Sequence, residues 1–283
     1  MFFVKMLSTQ FILWSDMKLF IFIALAFYCI GSYAVVMRHD VPIDSYRVEK
    51  IPEYIVDMPQ EGHGVLIAEK WVVTVAHTIF HDYAGSKLNV GSKQYEIEKV
   101  YIHPEYVKPS NNILSGDLAP LMQVLESSSD IALIKLSSPV LDIKPISIYS
   151  KSDEKGKVIT VFGKGAMGNG LSGENLDTKY LYQPNKFQNV VESANGKWLT
   201  FKFDSPHNAL PLEGMHGSGD SGGASIIYQS GEPSLVGLSS WQFATGDISA
   251  FKGGLYGTTA YQTRISSYYN WITGVVGLKK TKK

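Results

Sequence analysis

The chain has 283 residues, 45% of them hydrophobic, and includes 26 glycines and 12 prolines. This composition is typical of a globular protein and excludes a low-complexity or fibrous chain. The 26 basic and 26 acidic residues cancel, so the net charge gives no support for nucleic acid or an anionic membrane as the main partner.

Residues 1–34 have the pattern of a secretory signal peptide. An apolar run, 19–30 (LFIFIALAFYCI), follows Lys18, and small residues stand one and three positions before a cut after Ala34. The run is too short to span a bilayer comfortably. We therefore predict an exported protein, either secreted or periplasmic, that has no membrane contact once the signal peptide is removed.

Two alternatives to this interpretation stay open. Residues 1–14 are also largely apolar, so the segment could be a retained membrane anchor. Met17 could be the true start of the chain. The only cysteine, Cys29, lies within the predicted signal peptide, so the mature domain must be stabilised by its core without disulfides.

Beyond residue 40, most apolar segments are short and rich in β-branched or aromatic residues. Others alternate apolar and polar residues, which is typical of a half-buried strand. The predicted strands are 64–68, 71–75, 131–136, 158–162 and 235–241, with alternating segments at 95–98 and 199–203. Such spacing predicts a barrel or a sandwich, and the polar segment 151–157 (KSDEKGK) is the expected linker between two halves.

A clear helical pattern occurs only at the end of the chain. Apolar residues recur there at three-and-four spacing, at Ile265, Tyr268, Tyr269, Ile272, Val275 and Val276. This spacing predicts a helix that packs one face on the body. The lysines that follow it are interpreted as a solvated basic tail.

Three segments contain, in chain order, the residue types of an activated nucleophile. His77 follows a predicted strand, Asp130 begins another, and Ser221 lies in 219–223 (GDSGG). A serine hydroxyl needs an imidazole to accept its proton and a carboxylate to orient that imidazole. Taken singly, the three residues also fit a core histidine, a strand cap and a glycine-rich turn.

Chain order separates the enzyme classes that use this triad. The motif G-x-S-x-G around Ser221 also fits the nucleophile elbow of α/β-hydrolases, whose order is serine, acid, histidine. Subtilisin-type enzymes have the order aspartate, histidine, serine. The order here is histidine, aspartate, serine, which among these three enzyme classes matches only chymotrypsin.

Over residues 35–276 the chain resembles the chymotrypsin/trypsin family of serine endopeptidases, in particular bacterial-type members without disulfides. The segments around the three residues carry the resemblance, together with 103–104 (HP), 161–165 (VFGKG), 239–241 (SSW) and 269–272 (YNWI). It implies an all-β fold of two packed six-stranded antiparallel β-barrels with a C-terminal α-helix. The barrels would occupy 35–150 and 151–264, and the helix and tail 265–283.

The resemblance also implies roles in peptide-bond hydrolysis. Ser221 would be the nucleophile, His77 the general base and then acid, and Asp130 the carboxylate that orients it. The backbone amides of Gly219 and Ser221 would form the oxyanion hole.

In this family the N-terminal ammonium of the mature chain pairs with the aspartate before the catalytic serine, here Asp220. The usual Ile-Val-Gly-Gly start is absent. Signal cleavage after Ala34 would nevertheless leave Val35 at the N-terminus, 42 residues before His77, which is close to the family spacing. We therefore expect Val35 and Asp220 to be activation partners without a separate propeptide, unless the cut lies a few residues away and Asp220 has another partner.

The substrate pocket departs from the trypsin pattern. Met215 stands where trypsin-like members carry an acidic residue at the base of the primary pocket, so cleavage after Arg or Lys is not expected. Ser240 and Trp241 match the strand that lines the pocket, and Gln242 replaces a glycine that usually follows. The resemblance favours a medium-sized apolar residue before the scissile bond. Gly217 replaces a cysteine near the pocket, so this loop is expected to be less restrained.

The expected partner is a polypeptide substrate, and the chain is expected to be a monomer that needs no cofactor. No C-x-x-C pair occurs, and no metal site is predicted. One alternative is a non-catalytic binding protein on the same scaffold, which would use the cleft or the segment 109–125. Another is an esterase, since the same acyl chemistry accepts esters.

Overall fold

The computed structural model describes residues 35–181 and 183–277. The predicted signal peptide and the lysines of the predicted basic tail lie outside these ranges. The described chain is mostly β, with 18 strands and two α-helices, which confirms the all-β prediction. Neither α-helix within these ranges is long and apolar enough to cross a membrane.

After a short first strand, β1 (Val35–Met37), six strands form an antiparallel, barrel-like sheet in the order β2-β3-β4-β7-β6-β5. Alternation places Tyr95 and Ile97 inside this sheet, with Glu96 and Glu98 exposed, as the period-2 pattern predicts. The strands are β2 (Ile55–Asp57), β3 (His63–Ala68), β4 (Trp71–Thr74), β5 (Lys87–Val90), β6 (Lys93–Ile102) and β7 (Ala132–Leu136).

The second half of the chain forms another barrel-like sheet in the order β12-β9-β16-β17-β18-β14-β13, with β8 paired to β17. Its strands are β8 (Ser147–Ile148), β9 (Val158–Gly163), β12 (Asn185–Val190), β13 (Ser193–Asn195), β14 (Trp198–Lys202), β16 (Ala224–Gln229), β17 (Glu232–Gln242) and β18 (Thr259–Arg264). All neighbours are antiparallel except β8 and β17.

A small sheet in the order β11-β10-β1-β15 joins the start of the described chain to its second half. It consists of β1 together with β10 (Met167–Asn169), β11 (Gly173–Asn175) and β15 (Gly214–Met215). Strands β1 and β8 precede residue 150 but pair with strands of the second half, a pairing that the predicted boundary did not anticipate. Strand β1 lies between β10 and β15 and is the strand that joins them in this sheet.

Only one of the two α-helices among the described residues was predicted from the sequence. The predicted C-terminal helix, α2 (Ile265–Val276), buries Ile265 and Ile272 in an apolar cluster that contains residues of both large sheets. Helix α1 (Ala119–Ser127) lies between β6 and β7 and was not predicted. It has a proline near its first turn, where a missing backbone N–H costs little.

Candidate active site

Strand pairing explains why His77 and Asp130 lie side by side. Strands β4 and β7 are antiparallel neighbours, with Thr74 opposite Ala132. His77 lies three residues after Thr74, in a 3₁₀ turn, and Asp130 lies two residues before Ala132. The end of one strand and the start of the other therefore bring both side chains to the same edge of the sheet.

A continuous chain of hydrogen bonds runs from Asp130 through His77 to Ser221. Asp130 Oδ2 lies 2.7 Å from His77 Nδ1, and His77 Nε2 lies 2.8 Å from Ser221 Oγ. Asp130 Oδ1 also accepts a bond of 2.9 Å from the backbone N–H of His77. Because Nδ1 faces the carboxylate, Nε2 is the nitrogen that can accept the serine proton.

Burial and mutual charge shift the pKa values of this pair in opposite directions. Burial alone would lower the pKa of His77, but the charge and hydrogen bond of Asp130 outweigh it and raise that pKa. Burial alone would raise the pKa of Asp130, but His77 and the bonds it receives lower it. Asp130 is therefore ionised at neutral pH and stabilises an imidazolium at His77.

Two residues of the second sheet also bind Asp130. The Ser240 hydroxyl, on β17, donates to Asp130 Oδ2 at 2.5 Å, and the Thr263 hydroxyl, on β18, donates to the Asp130 carbonyl at 2.8 Å. The sequence predicted Ser240 only as a pocket residue and did not identify Thr263. A small polar residue next to an apolar stretch of strand, such as Ser240 in β17, was the available signal for a buried polar contact.

The loop around Ser221 presents two amides without internal partners. Within the described residues, neither the Gly219 nor the Ser221 backbone N–H donates a hydrogen bond. The carbonyl of Ser218 accepts from Ala166 N–H at 2.7 Å. In a trans peptide the N–H is opposite to the carbonyl, so the Gly219 amide points away from Ala166. Gly219 has φ of 94°, a conformation that favours glycine.

Asp220 is a buried carboxylate held by backbone amides. It accepts hydrogen bonds of 2.9, 2.7 and 2.9 Å from the N–H groups of Lys164, Gly165 and Gly217. Burial raises its pKa to about 7 despite these bonds. No ion pair to Asp220 occurs among the described residues, so its charge lacks a cationic partner there.

Val35 lies next to this part of the structure. It is fully buried and pairs with Met167, two residues after the Gly165 amide that binds Asp220. Its φ is 69°, a left-handed conformation that is strained for a β-branched residue.

A pocket of about 310 Å³ opens beside Ser221, and Ser240, Trp241 and Gln242 contribute to its walls. Met215 does not, because it is fully buried in the core, where it pairs with Val36 of β1. The structure thus brings three of the four predicted pocket residues to the pocket and places the fourth behind it.

The side chain of Gln242 bridges two backbone segments beside the pocket. Its Nε2 donates to the carbonyl of His216 at 2.8 Å, and its Oε1 accepts from the N–H of Gly254 at 2.8 Å. The amide therefore takes up the space between these segments.

Another wall of the pocket is apolar and comes from segments that the sequence analysis did not assign to it. Backbone bonds join the two segments, from Leu118 N–H to the Gly246 carbonyl and from Ile248 N–H to the Gly116 carbonyl, both 2.8 Å. The apolar side chains are Leu118, Leu121, Met122 and Leu125, from helix α1 and the residue before it, with Ile248 and Phe251 from the facing loop. The segment 109–125, considered above as a binding loop, is therefore partly helical and lines the pocket.

Known proteins of similar sequence match most of this chain. A family model described as Trypsin matches residues 52–272. The chain is similar to a trypsin from Phaedon cochleariae, with 28% identity over 231 residues that cover 74% of this chain and 76% of the relative. It is also similar to vitamin K-dependent protein C from Rattus norvegicus and Mus musculus, with 24% identity over 240 and 242 residues. These matches cover 76% of this chain but only 46% of each protein C.

Proposed function

Because the chain belongs to the trypsin family of serine endopeptidases, we propose that it hydrolyses peptide bonds through Ser221, His77 and Asp130 and an acyl-enzyme intermediate. The observation that carries this proposal is the hydrogen-bond chain of 2.7 and 2.8 Å, which ends at a serine hydroxyl beside a pocket. The unpartnered amides of Gly219 and Ser221 support it.

The proposed reaction has two halves. Ser221 Oγ attacks the peptide carbonyl carbon while His77 Nε2 takes its proton, and the Gly219 and Ser221 amides bind the resulting oxyanion. His77 then gives this proton to the leaving amine, and the acyl group stays on Ser221 as an ester. In the second half, a water attacks the ester, His77 takes a proton from that water, and Ser221 leaves with the proton.

Covalent labelling by a fluorophosphonate tests the proposal. Ser221 Oγ would displace fluoride from phosphorus and add the phosphonyl group to the purified mature protein, as mass spectrometry would show. Ser221→Ala is expected to abolish the adduct, whereas Ser152→Ala, which changes an exposed serine elsewhere, is expected to leave it unchanged. A folded, correctly processed protein that does not label would favour a non-catalytic binding protein on the same scaffold.

A matched pair of substrates separates a peptidase from an esterase. Both activities use the same acyl-enzyme, but an amide needs the leaving nitrogen to be protonated by His77. We expect a peptide amide as well as the corresponding ester to be hydrolysed. Hydrolysis of the ester alone would favour the esterase.

We propose that Val35 becomes the N-terminus and that its ammonium pairs with Asp220. Three observations support this pairing: Asp220 is buried, no described side chain forms an ion pair with it, and Val35 is buried near the amides that bind it. The φ angle of Val35 is defined by the carbonyl carbon before it, so cleavage of that peptide bond also removes the strain of its left-handed conformation.

This pairing is linked to export. We propose that a signal peptidase cuts after Ala34, so that the exported, monomeric protein is activated by the same cut. N-terminal sequencing of the mature protein is expected to begin with Val-Val-Met-Arg. A start several residues away would contradict this route of activation but not the triad.

We further propose that the residue before the scissile bond is small. The Gln242 amide takes up the space between His216 and Gly254, and Met215 lies behind in the core. A medium-sized side chain, which the sequence favoured, would have to displace the amide from its two hydrogen bonds. Glycine, alanine and serine avoid that cost.

A further inference from the structure

Glu174 reaches the loop that carries the oxyanion-hole amides. Its carboxylate accepts a hydrogen bond of 2.7 Å from the Ser218 backbone N–H and one of 3.1 Å from the Ser218 hydroxyl. Its own N–H donates to the Gly253 carbonyl at 2.8 Å, which anchors the backbone of Glu174. A side chain from strand β11 therefore binds the residue directly before Gly219.

Hydrogen bonds hold the peptide groups on both sides of Ser218, two on the peptide before it and one on the peptide after it. In the peptide before Ser218, the N–H donates to Glu174 at 2.7 Å and the Gly217 carbonyl accepts from Asp220 N–H at 3.0 Å. Ala166 N–H binds the carbonyl of the peptide after Ser218, at 2.7 Å. That second peptide also contains the N–H of Gly219. Reorienting the Gly219 amide requires rotation about the backbone of Ser218, which these three bonds oppose together, and the bond to Glu174 is the only one of them that a side chain supplies.

We propose that Glu174 is a positioning residue that keeps the Gly219 amide of the oxyanion hole turned toward the substrate carbonyl, by binding the backbone and hydroxyl of Ser218. The inference rests on the proposed peptidase function. Glu174 does not touch the reacting atoms in this role, but acts through Ser218. Charge-assisted hydrogen bonds to a carboxylate are stronger than those between neutral groups, which suits this purpose.

The surrounding sheet makes this contact dependent on β1. Strand β11 pairs with β10, and β10 pairs in parallel with β1, which also pairs with β15 ahead of the loop. Glu174 is thus held on one side of β1, while the chain leading to Ser218 is held on the other. The loop has Gly217 where a cysteine is common, and the carboxylate of Glu174 supplies a noncovalent restraint at the next residue.

Three substitutions of Glu174 test the proposal, with Asp177→Ala as the matched control for an exposed carboxylate of the same segment. Loss of one oxyanion-hole donor typically costs about 10²–10³ in kcat, so we expect a partial misorientation in Glu174→Ala to cost about tenfold to a hundredfold. Glu174→Gln retains an acceptor of the same length, and we expect kcat within about threefold of wild type because a neutral bond is only modestly weaker. Glu174→Asp keeps the charge but is one methylene shorter, so we expect it to resemble the alanine variant.

Inhibitor pairs distinguish positioning from a general effect on structure or substrate binding. A peptide aldehyde built on the best-cleaved sequence forms a hemiacetal with Ser221, and the former aldehyde oxygen occupies the oxyanion hole. The matching peptide alcohol forms no such adduct and leaves the hole empty. We expect Glu174→Ala to weaken binding of the aldehyde by the same factor by which it lowers kcat, and to leave binding of the alcohol unchanged. Equal weakening of both inhibitors, or an unchanged kcat, would overturn the proposal.

Two further outcomes are decisive. If Glu174→Ala does not fold, Glu174→Gln must still bind the aldehyde more tightly than Glu174→Asp does, and the reverse order would overturn the positioning role. If wild type itself fails to label with fluorophosphonate, the peptidase function fails and the role of Glu174 falls with it. If wild type labels but the Glu174 substitutions do not change aldehyde binding, the positioning role of Glu174 is refuted and the peptidase function is not.

Discussion

His77 and Asp130 lie at the ends of two paired strands of one sheet, whereas Ser221 and the proposed oxyanion-hole amides lie on a loop between β15 and β16. The backbone ladder of β4 and β7 positions the first pair directly. The loop is positioned by the buried carboxylate of Asp220 and by Glu174, both bound to backbone amides. The two kinds of support meet at the hydrogen bond between His77 and Ser221, beside a backbone bond of 2.7 Å from His63 N–H on β3 to the Ser221 carbonyl.

Because their supports differ, the two parts should respond differently to perturbation. A strand pair buried on both sides stays in place when a single charge changes. A loop that depends on a buried carboxylate, here Asp220, is sensitive to whether that charge has its partner. We therefore expect the chemistry of His77 and Asp130 to be intrinsic to the fold, and the oxyanion hole to be conditional on the N-terminus.

The largest expected effect comes from a substitution of Asp130, which tests the pair that it forms with His77 at the ends of β4 and β7. Asp130→Asn keeps the shape of the side chain but favours the wrong tautomer of His77, a change that lowers kcat by about 10⁴ in triads of this type. The pKa of His77 should also fall, because the carboxylate that raises it is gone. The acid limb of a pH profile of kcat/KM should therefore move to lower pH. A loss below tenfold would contradict the role of Asp130.

The second prediction concerns the loop that carries Ser221, whose geometry we expect to depend on the N-terminus. A protein with one extra residue before Val35 cannot place an ammonium beside Asp220, and we expect it to lose most of its activity, by about 10² or more, as if an oxyanion-hole donor were misplaced. Val35→Ile at the correct length is the matched control and should remain active. Kinetics on the same peptide substrate measure the effect, and full activity of the extended protein would refute the pairing.

The third prediction alters substrate choice. Gln242→Gly removes the amide that bridges His216 and Gly254, so we expect the preference before the scissile bond to move from small residues toward larger apolar ones. One buried methylene is worth about tenfold or somewhat more in discrimination. A peptide-library profile of both proteins checks this. An unchanged profile, or a wild type that already prefers large residues, would contradict the interpretation of Gln242.

The smallest expected effect is a pH dependence of stability in the protein with an extended N-terminus. Burial raises the pKa of Asp220 from 3.8 to about 7. Between these values the folded chain retains a proton that the unfolded chain has lost, so the free energy of unfolding falls as pH rises. The limiting slope is about 1.4 kcal/mol per pH unit. Denaturant titrations should show this slope in the extended protein, but neither in its Asp220→Asn variant nor in the protein that begins at Val35.

The sequence predicted the strand framework and the C-terminal helix because their periodicity is local. It also singled out His77, Asp130 and Ser221, because each lies in a distinctive segment, and the structure joins these three side chains by hydrogen bonds. It missed helix α1, which is short and whose apolar residues face a pocket built from a distant loop. Glu174 was missed for a similar reason, since an acidic residue in a glycine-rich segment looks like solvated surface until pairing of β10 and β11 brings it to Ser218.

Pairing between distant segments also changed the interpretation of two predicted regions. The polar segment 151–157 was predicted as a linker, but it contains Glu154, which is fully buried and pairs with Arg264 at 2.8 Å. Met215 was predicted as a pocket residue from its position relative to Ser221, yet β1 covers it. Neither burial is visible from local pattern, because each partner lies at least 100 residues away along the chain.

Fluorophosphonate labelling tests most directly whether His77 and Asp130 activate Ser221 as a nucleophile. The measurement is the number of adducts per chain, with the labelled residue located by peptide mapping. For the protein that begins at Val35, we predict one adduct per chain at Ser221, and none after Asp130→Asn within the time that labels wild type completely. A correctly folded and processed protein that forms no adduct, or forms it at another serine, would contradict the proposed triad.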